Sequence, residues 1–271
     1  MRVVVCIKQV PDTTEVKINP ETNTLMREGV QSIVNPFDEF AIEEGIRIKE
    51  KFGGETIVIT MGPPQADEAL KTALAMGCDK AYLVSDRAFA GSDTLATAYT
   101  LASAIKKIEE TDGPVDVVLC GKQAIDGDTG QVGPGIAVRL NIPPLTYVSK
   151  IREIDPEKKT IIVERLMERG KEVVKCSLPV LITVVKDINS PRYPSLFEIK
   201  KAAKKPMIKL GLADLGIPEN KTGLKGSPTW VNKIFSPELK SVNGEIFQGE
   251  PEECAVKLVD RLINLGKGVS L

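Results

Sequence analysis

Short apolar runs alternate with helical patterns over the first half of the chain, and this alternation constrains the fold most strongly. The runs Val3–Ile7, Thr56–Thr60, Ala81–Val84 and Val115–Cys120 have the length of buried strands, and stretches with a period near 3.6 residues separate them. Strands that alternate with helices build a parallel sheet covered on both faces. The sequence therefore predicts an α/β fold.

The pattern changes in three other places. A hairpin is predicted at 16–26, and short alternating segments at 148–154, 160–166 and 172–176 predict a β meander, after which Leu178–Val185 is apolar enough to return to the main sheet. Residues 206–249 are rich in Gly and Pro and lack periodicity, which indicates either disorder or an arm that orders against a partner. Pro251–Leu265 then predicts an amphipathic helix.

A glycine-rich turn, Gly121–Gly135, joins the fourth predicted strand to a helical pattern. Unpaired N–H groups and the helix dipole favour phosphate at such a turn. A polar loop that binds nothing is the alternative, but three glycines that admit a ligand and four side chains that can hydrogen-bond ribose or a base edge crowd this one turn. These residues are Gly127, Gly130 and Gly133, and Asp126, Asp128, Thr129 and Gln131.

Three turns follow predicted strand ends, where ligands of open parallel sheets bind: Lys8–Asp12, Met61–Pro64 and the glycine-rich turn. A further helix begins near Ser92, a plausible N-cap, and places the hydroxyls of Thr94 and Thr97 on one face of its first turns. Those hydroxyls suit either helix initiation or a phosphate. No GxGxxG motif follows the first strand, which disfavours a standard dinucleotide site.

Composition excludes several function classes. A net charge of −1 argues against a general nucleic-acid binder, and no apolar run is long enough to cross a bilayer. The first apolar run is too short for a signal peptide, so a cytoplasmic protein is expected. The chain has no histidine, which excludes Ser/His and Cys/His nucleophile pairs and histidine-ligated metals. Redox or transfer chemistry would therefore come from a bound cofactor.

The cysteines indicate reduced thiols. Their number is odd, none forms a CxxC pair, and the spacing is wide. Cys6, Cys120 and Cys176 lie in or beside strand-like runs, so core packing is their expected role. The remaining two are Cys78 and Cys254.

Four ordered motifs resemble the beta subunit of electron transfer flavoprotein over nearly the whole chain. They are Asn35-Pro36-Phe37, Thr72–Gly77, Gly121–Asp126 and Pro191-Arg192-Tyr193. The resemblance implies a Rossmann-like domain and a heterodimer with an alpha subunit that carries its own FAD. It implies a nucleotide- or flavin-binding α/β domain at 1–186 that includes the meander at about 147–176, a partner-recognition loop and basic segment at 187–205, and a C-terminal arm and helix on the alpha subunit at 206–271.

The resemblance also implies a recognition loop for partner dehydrogenases. Ile188 occupies the anchor position that is usually leucine, and a basic cluster after the loop would orient acidic partners. A solvated helix face is the commoner explanation of such a cluster. The implied recognition residues are Ile188, Asn189, Pro191, Arg192 and Tyr193, and the basic cluster is Lys200, Lys201, Lys204 and Lys205.

Members of this family hold either AMP or a second FAD in the beta subunit. After Asp126 the chain reads Gly127–Pro134, which is similar to the electron-bifurcating, FAD-binding type, and so is Ser92–Thr97. Lys122 would support the loop or face phosphate, while Cys6 and Met61 would contact through backbone or packing. The implied cofactor contacts are Cys6, Asn35, Phe37, Asp38, Met61, Asp93, Thr94, Thr97, Gly121, Lys122, Gln123, Ala124, Asp126, Gly127, Asp128, Thr129, Gly130, Gln131, Val132, Gly133 and Pro134.

The implied function is NADH oxidation with electron bifurcation. One electron would go to ferredoxin or flavodoxin, and the other would go through the alpha flavin to a partner dehydrogenase or a quinone-linked oxidoreductase. The protein would associate with a membrane only through such a partner complex. One alternative is a non-bifurcating carrier with structural AMP. The other is a nucleotide-sensing or ATP-binding module that needs neither an alpha subunit nor a flavin.

Overall fold

The computed structural model describes residues 1–12, 32–232 and 244–265. The hairpin predicted at 16–26 lies outside these residues. The chain divides into two compact units, Met1–Lys233 and Ile234–Leu271.

The strands and helices of the first unit follow the predicted alternation closely. The strands are β1 (Arg2–Cys6), β2 (Gln9–Pro11), β3 (Ser32–Val34), β4 (Glu55–Met61), β5 (Lys80–Val84), β6 (Val117–Gly121), β7 (Pro144–Asp155), β8 (Thr160–Met167), β9 (Gly170–Ser177), β10 (Val180–Val184) and β11 (Met207–Leu210). The helices are α1 (Pro36–Phe52), α2 (Asp67–Met76), α3 (Thr94–Asp112), α4 (Val132–Leu140), α5 (Leu196–Ala202) and α6 (Leu212–Leu215).

In the described residues, nine strands form one sheet in the order β11-β5-β4-β1-β6-β10-β7-β8-β9. All neighbours from β11 to β7 pair in parallel, whereas β8 and β9 add antiparallel to β7. This arrangement confirms the predicted Rossmann-like sheet, the meander, and the return of the segment after Leu178 to the main sheet.

The hydrophobic core lies on both faces of the sheet. Alternate residues of β1 point to opposite faces, so Val3 and Val5 pack under α1 and α2, while Val4 packs under α3 and α4. Such strands are buried on both sides and therefore appear in the sequence as continuous apolar runs. Their carboxyl ends all meet at one edge of the sheet, where loops carry the polar residues.

The division of the chain differs from the boundary expected at 206. Residues Met207–Leu210 pair with Ala81–Val84 as the edge strand β11, and α6 follows. The first part of the expected arm therefore belongs to the main unit. A four-residue strand is too short to show periodicity, which is why the sequence pattern did not reveal it.

The described part of the second unit contains α7 (Pro251–Leu265), which confirms the predicted amphipathic helix. Its apolar side chains are exposed, and Arg261 forms an ion pair with Glu245 (Nη2–Oε1, 2.5 Å). The exposed apolar residues of this helix are Val256, Leu258, Val259, Leu262 and Ile263. Among the helices that the structure describes, none has the length and apolar character needed to span a membrane.

Candidate functional site

The candidate site lies where the order of strands reverses. From β1 the chain proceeds outward through β4 and β5, and then crosses back to place β6 on the other side of β1. Ligands of open α/β sheets bind in the crevice at such a reversal, beyond the carboxyl ends of the strands. The loop after β1 begins at Ile7, and the loop after β6 is 122–131.

Two buried polar residues at the start of α1 hold these two loops together. Asn35 donates from Nδ2 to the carbonyl of Gln123 (2.9 Å) and accepts at Oδ1 from the N–H of Ile125 (3.0 Å). Asp38 accepts from the N–H groups of Lys8 (2.8 Å) and Gly121 (3.0 Å). Both side chains thus bond to the backbone of the two loops rather than to a ligand, and these bonds fix the shape of the site.

The Asp38 carboxyl is sensitive to its surroundings. Burial raises the pKa of Asp38 to about 7, and the hydrogen bonds from the backbone of Lys8 and Gly121 oppose this rise only in part. A carboxyl group in this range changes its charge near neutral pH.

The loop after β6 is stabilised by an ion pair and by hydrogen bonds between its own residues. Lys8 Nζ contacts both carboxylate oxygens of Asp126 (2.6 and 2.7 Å), and Gln123 Nε2 donates to the carboxylate of Asp128. The N–H of Asp128 donates to the carbonyl of Ala124 (2.9 Å), and Asp128 takes a left-handed conformation with φ 53°. The loop is therefore a folded turn with exposed side chains. The turn that contains Lys8 was predicted to lie at the ligand edge of the sheet, but the bond to Asp126 was not predicted, because the two residues are 118 positions apart in sequence.

The glycines of the predicted Gly121–Gly135 turn serve different purposes. A Cβ on Gly127 would meet no atom of the described residues within 4 Å, so they leave the space beside it open. Gly130 has φ +62°, a conformation that favours glycine. A Cβ on Gly133, in contrast, would lie 2.7 Å from Cγ2 of Thr183. The prediction that Gly133 admits a ligand is therefore wrong, since it allows α4 to pack on β10.

Two helix N-termini meet at this loop. Thr94, the first residue of α3, donates from Oγ1 to Oε1 of Gln131, the residue before α4 (2.9 Å). Thr97 lies one turn further along α3 and is half-buried, and Val132 and Pro134 belong to the first turn of α4. Each N-terminus contributes partial positive charge, so the junction is electropositive.

The N-cap of α3 is Asp93 and not Ser92. Asp93 Oδ1 accepts from the N–H groups of Leu95 (2.9 Å) and Ala96 (3.0 Å), and Oδ2 accepts from the hydroxyl of Thr229 (2.8 Å). Ser92 instead donates to the carbonyl of Phe89 (2.8 Å). The Asp93 carboxylate is thus committed to capping, which differs from the cofactor contact implied for it.

Several backbone donors of the loop have no acceptor in the part of the chain that the structure describes. Among the described residues, the N–H groups of Gly127, Thr129, Gly130 and Val132 donate no hydrogen bond to the protein. These donors lie in the loop that leads into α4 and in its first residue, and the N-terminus of α4 meets that of α3. The arrangement provides what a phosphate or diphosphate requires.

Lys122 lies between two aromatic rings. Its Nζ is 5.5 Å from the ring centroid of Phe37 and 5.7 Å from that of Tyr147. Tyr147 has a φ of 58° at a register shift of β7, and its N–H donates to Thr183 Oγ1 (3.1 Å). A left-handed aromatic residue is uncommon and marks a constrained position. The sequence analysis did not identify Tyr147, because an aromatic residue in a strand pattern gives no sign of a left-handed backbone or of a place at the site.

Cys6 and Met61 lie at the carboxyl ends of neighbouring strands. Cys6 is in register with Cys120 on β6, and both thiols are buried. The contact with Cys6, together with burial, raises the pKa of the Cys120 thiol well above its ordinary value. The Cys120 thiol therefore stays protonated, and both side chains fill the core, as predicted for them.

The recognition residues implied by the resemblance divide into two groups. Ile188 is partly buried against the core, and Asn189 and Arg192 bond to α1. Tyr193 is 97% exposed, and the neighbouring Leu196 (86%) and Phe197 (72%) were not among the predicted residues. An anchor that reaches a partner must be exposed, so the apolar surface of this segment is that of Tyr193, Leu196 and Phe197 rather than Ile188.

The basic cluster is also divided. Lys200, Lys201 and Lys204 are exposed, but Lys205 donates from Nζ to the carbonyls of Leu74 (2.8 Å) and Cys78 (2.6 Å) at the end of α2. Burial lowers the pKa of Lys205. Lys205 is therefore a helix C-terminal partner, and only the other three ammonium groups are available to a docking protein.

A family model and several known proteins match this chain. Residues 22–215 match the family model described as the electron transfer flavoprotein domain. The chain is 53% identical to the electron transfer flavoprotein subunit beta of Thermoanaerobacterium thermosaccharolyticum, over 97% of this chain and 98% of that protein. It is 52% identical to the caffeyl-CoA reductase-Etf complex subunit CarD of Acetobacterium woodii, over 97% and 98%. It is 50% identical to the protein FixA of Azotobacter vinelandii, over 93% and 90%.

Proposed function

Because this chain belongs to the electron transfer flavoprotein family, we propose that it is the beta subunit of an electron-bifurcating member. With an alpha subunit that holds its own FAD, it oxidises NADH and delivers electrons to a low-potential acceptor, ferredoxin or flavodoxin, and to a higher-potential acceptor. The beta subunit holds the second FAD at the reversal of strand order.

The junction of two helix N-termini at the loop carries this proposal. A single N-terminus suits one phosphate, whereas the bonded pair Thr94 and Gln131 brings α3 and α4 to the same loop. Two N-termini, together with loop N–H groups that bond to no acceptor among the described residues, suit a diphosphate. The open space beside Gly127 leaves room beyond the first phosphate. FAD has a diphosphate and AMP has not, so the junction favours FAD.

The side chains of the site bind and orient rather than transfer protons. Asn35 and Asp38 hold the loop from behind, and Lys122 lies between Phe37 and Tyr147 at the mouth. A bound flavin supplies both one- and two-electron redox chemistry. A protein without histidine contributes to such chemistry by holding the flavin ring system in place and shielding it from water.

Two exposed apolar surfaces suit two protein partners. The apolar side of α7 is proposed as the contact of the C-terminal arm with the alpha subunit. A continuous apolar helix face that this chain leaves exposed is typical of a protein interaction surface. Tyr193, Leu196 and Phe197, followed by Lys200, Lys201 and Lys204, suit a dehydrogenase with an apolar patch and acidic surroundings. The Acetobacterium woodii relative is a subunit of a caffeyl-CoA reductase-Etf complex, which supports this pairing.

The test is the acceptor dependence of NADH oxidation by the complete alpha–beta complex. We expect oxidation to require ferredoxin or flavodoxin and the high-potential acceptor together, with reduction of both. Omission of either acceptor is the control. NADH oxidation at the full rate with the high-potential acceptor alone would show a simple carrier and overturn the proposal.

A further inference from the structure

The chain from the end of β10 into the first turn of α5 exposes apolar side chains, but it has little regular structure before that helix. A three-residue 3-10 turn, Lys186–Ile188, is followed by chain without regular secondary structure up to Ser195. Tyr193 and Leu196 project into solvent and contribute almost no packing that would hold the segment. The contacts that order it must therefore come from other residues.

Arg192 supplies most of these contacts through two glutamates of α1. Its Nε and Nη2 donate to the two carboxylate oxygens of Glu43 (2.8 and 3.0 Å), and its Nη1 and Nη2 donate to those of Glu50 (2.6 and 3.0 Å). Its backbone N–H also donates to Glu43 (3.2 Å). Bidentate pairs of this kind fix orientation as well as distance.

The buried position of Glu43 makes these bonds consequential. Glu43 is only 5% exposed, and its other cation, Arg47, is further away (3.8 Å). A carboxylate that loses its partner in such a place is strongly unfavourable. The guanidinium of Arg192 is thus held firmly, which agrees with its raised pKa and with the lowered pKa of Glu50, both caused mainly by the hydrogen bonds between them.

Asn189 adds a second attachment three residues earlier. Its Nδ2 donates to the carbonyl of Phe40 (3.0 Å) and to Oε2 of Glu44 (2.9 Å). Both acceptors are on α1, one turn before and next to Glu43. The segment is therefore fastened along one face of a single helix.

That helix also builds the nucleotide site. Asn35 precedes α1 and Asp38 lies in its first turn, and both hold the loops of the site. The segment itself begins where β10 ends, and the carbonyl of Val184 accepts from the N–H of Lys122 (2.9 Å). The apolar surface and the nucleotide site are thus positioned by shared elements.

We propose that Arg192 is a positioning residue: paired with Glu43 and Glu50, it fastens the segment 189–199 to α1 and so preforms the surface of Tyr193, Leu196 and Phe197 before a partner arrives. The proposal rests on the proposed function only in taking that surface as the docking site. Preformed surfaces bind more tightly because less ordering is required on association.

The experiment compares Arg192→Gln with wild type in the complete alpha–beta complex. Amide hydrogen exchange of peptides that cover 189–199 reports on order without any partner, and we expect roughly tenfold faster exchange in the variant. The second readout uses as its probe an acyl-CoA dehydrogenase that exchanges electrons with the wild-type complex. We expect the KM for this dehydrogenase to rise in the variant, with little change in kcat. Arg169→Gln, in the turn between β8 and β9, is the matched control and should change neither quantity.

Two further variants separate the possible failures. Arg192→Lys keeps the charge but not the bidentate geometry, so intermediate exchange is expected even if Arg192→Gln fails to fold. Leu196→Ala should raise KM without faster exchange. Unchanged exchange in both Arg192 variants would overturn the positioning role, whereas an unchanged KM in Leu196→Ala with altered exchange in the Arg192 variants would overturn the docking surface and leave the positioning role supported.

Discussion

At the scale of single residues, the site depends on polar groups that face the protein. Asn35 satisfies the backbone of Gln123 and Ile125 at once, and it is fully buried. The resemblance placed Asn35 at the cofactor but gave no sign of these partners, since they are about 90 residues away in sequence. A polar side chain in a sequence does not show whether it bonds to a ligand or to backbone.

We predict that Asn35→Ala destabilises the protein and empties the site. The variant leaves a carbonyl and an N–H without partners, which costs about 1–3 kcal/mol for each buried group. The loop then loses its shape, and bound nucleotide should fall well below the wild-type amount in extracts of the purified complex. Asn220→Ala, on an exposed 3-10 turn, is the control. Full nucleotide content in Asn35→Ala would contradict the role given to Asn35.

Asp38 predicts a pH dependence of stability. Its folded pKa of about 7 lies above its ordinary value of 3.8, so the folded state binds the proton more tightly than the unfolded state does. The free energy of unfolding should therefore fall as pH rises from about 4 to about 7, by at most about 1.4 kcal/mol per pH unit from this group. Urea unfolding of wild-type and Asp38→Asn complexes at pH 5 and 7.5 measures it. The wild type should lose stability relative to the variant at the higher pH, and a constant difference would refute the assignment.

At the scale of elements, two glycines of the predicted turn have different roles: Gly133 serves packing, and Gly127 serves nucleotide binding. Gly133→Ala should destabilise by about 1–3 kcal/mol, because its Cβ would clash with Thr183 and push α4 from the sheet. Gly127→Ala should leave stability within about 0.5 kcal/mol, since no atom of the residues that the structure describes occupies that space. It should nevertheless weaken nucleotide retention. Thermal unfolding and nucleotide content of the two variants, measured side by side, test both statements; equal stability in both would contradict the packing role of Gly133.

The central strands were predictable because parallel strands are buried on both faces and show as apolar runs. The elements that were missed are short or exposed. Strand β11 has four residues, and the choice between Ser92 and Asp93 as N-cap could not be made from two adjacent residues that both cap well. Gly133 looked like Gly127 in the sequence, since only the neighbouring strand β10 distinguishes them.

At the scale of the whole molecule, the position of the site followed from topology. Loops after buried strands of a parallel sheet were expected to converge, and those after β1 and β6 do so at the reversal of strand order. The junction between α3 and α4 could not be foreseen in this way. It depends on a contact between Thr94 and Gln131, which are 37 residues apart in sequence. This junction is the feature that favours a diphosphate.

The identity of the nucleotide in the beta subunit is therefore the most direct test. The complex of this chain with its alpha subunit would be purified, extracted with acid, and analysed by chromatography with FAD and AMP standards. We predict two FAD for each heterodimer and no AMP. One FAD with one AMP would contradict the diphosphate site and make this chain part of a simple electron carrier.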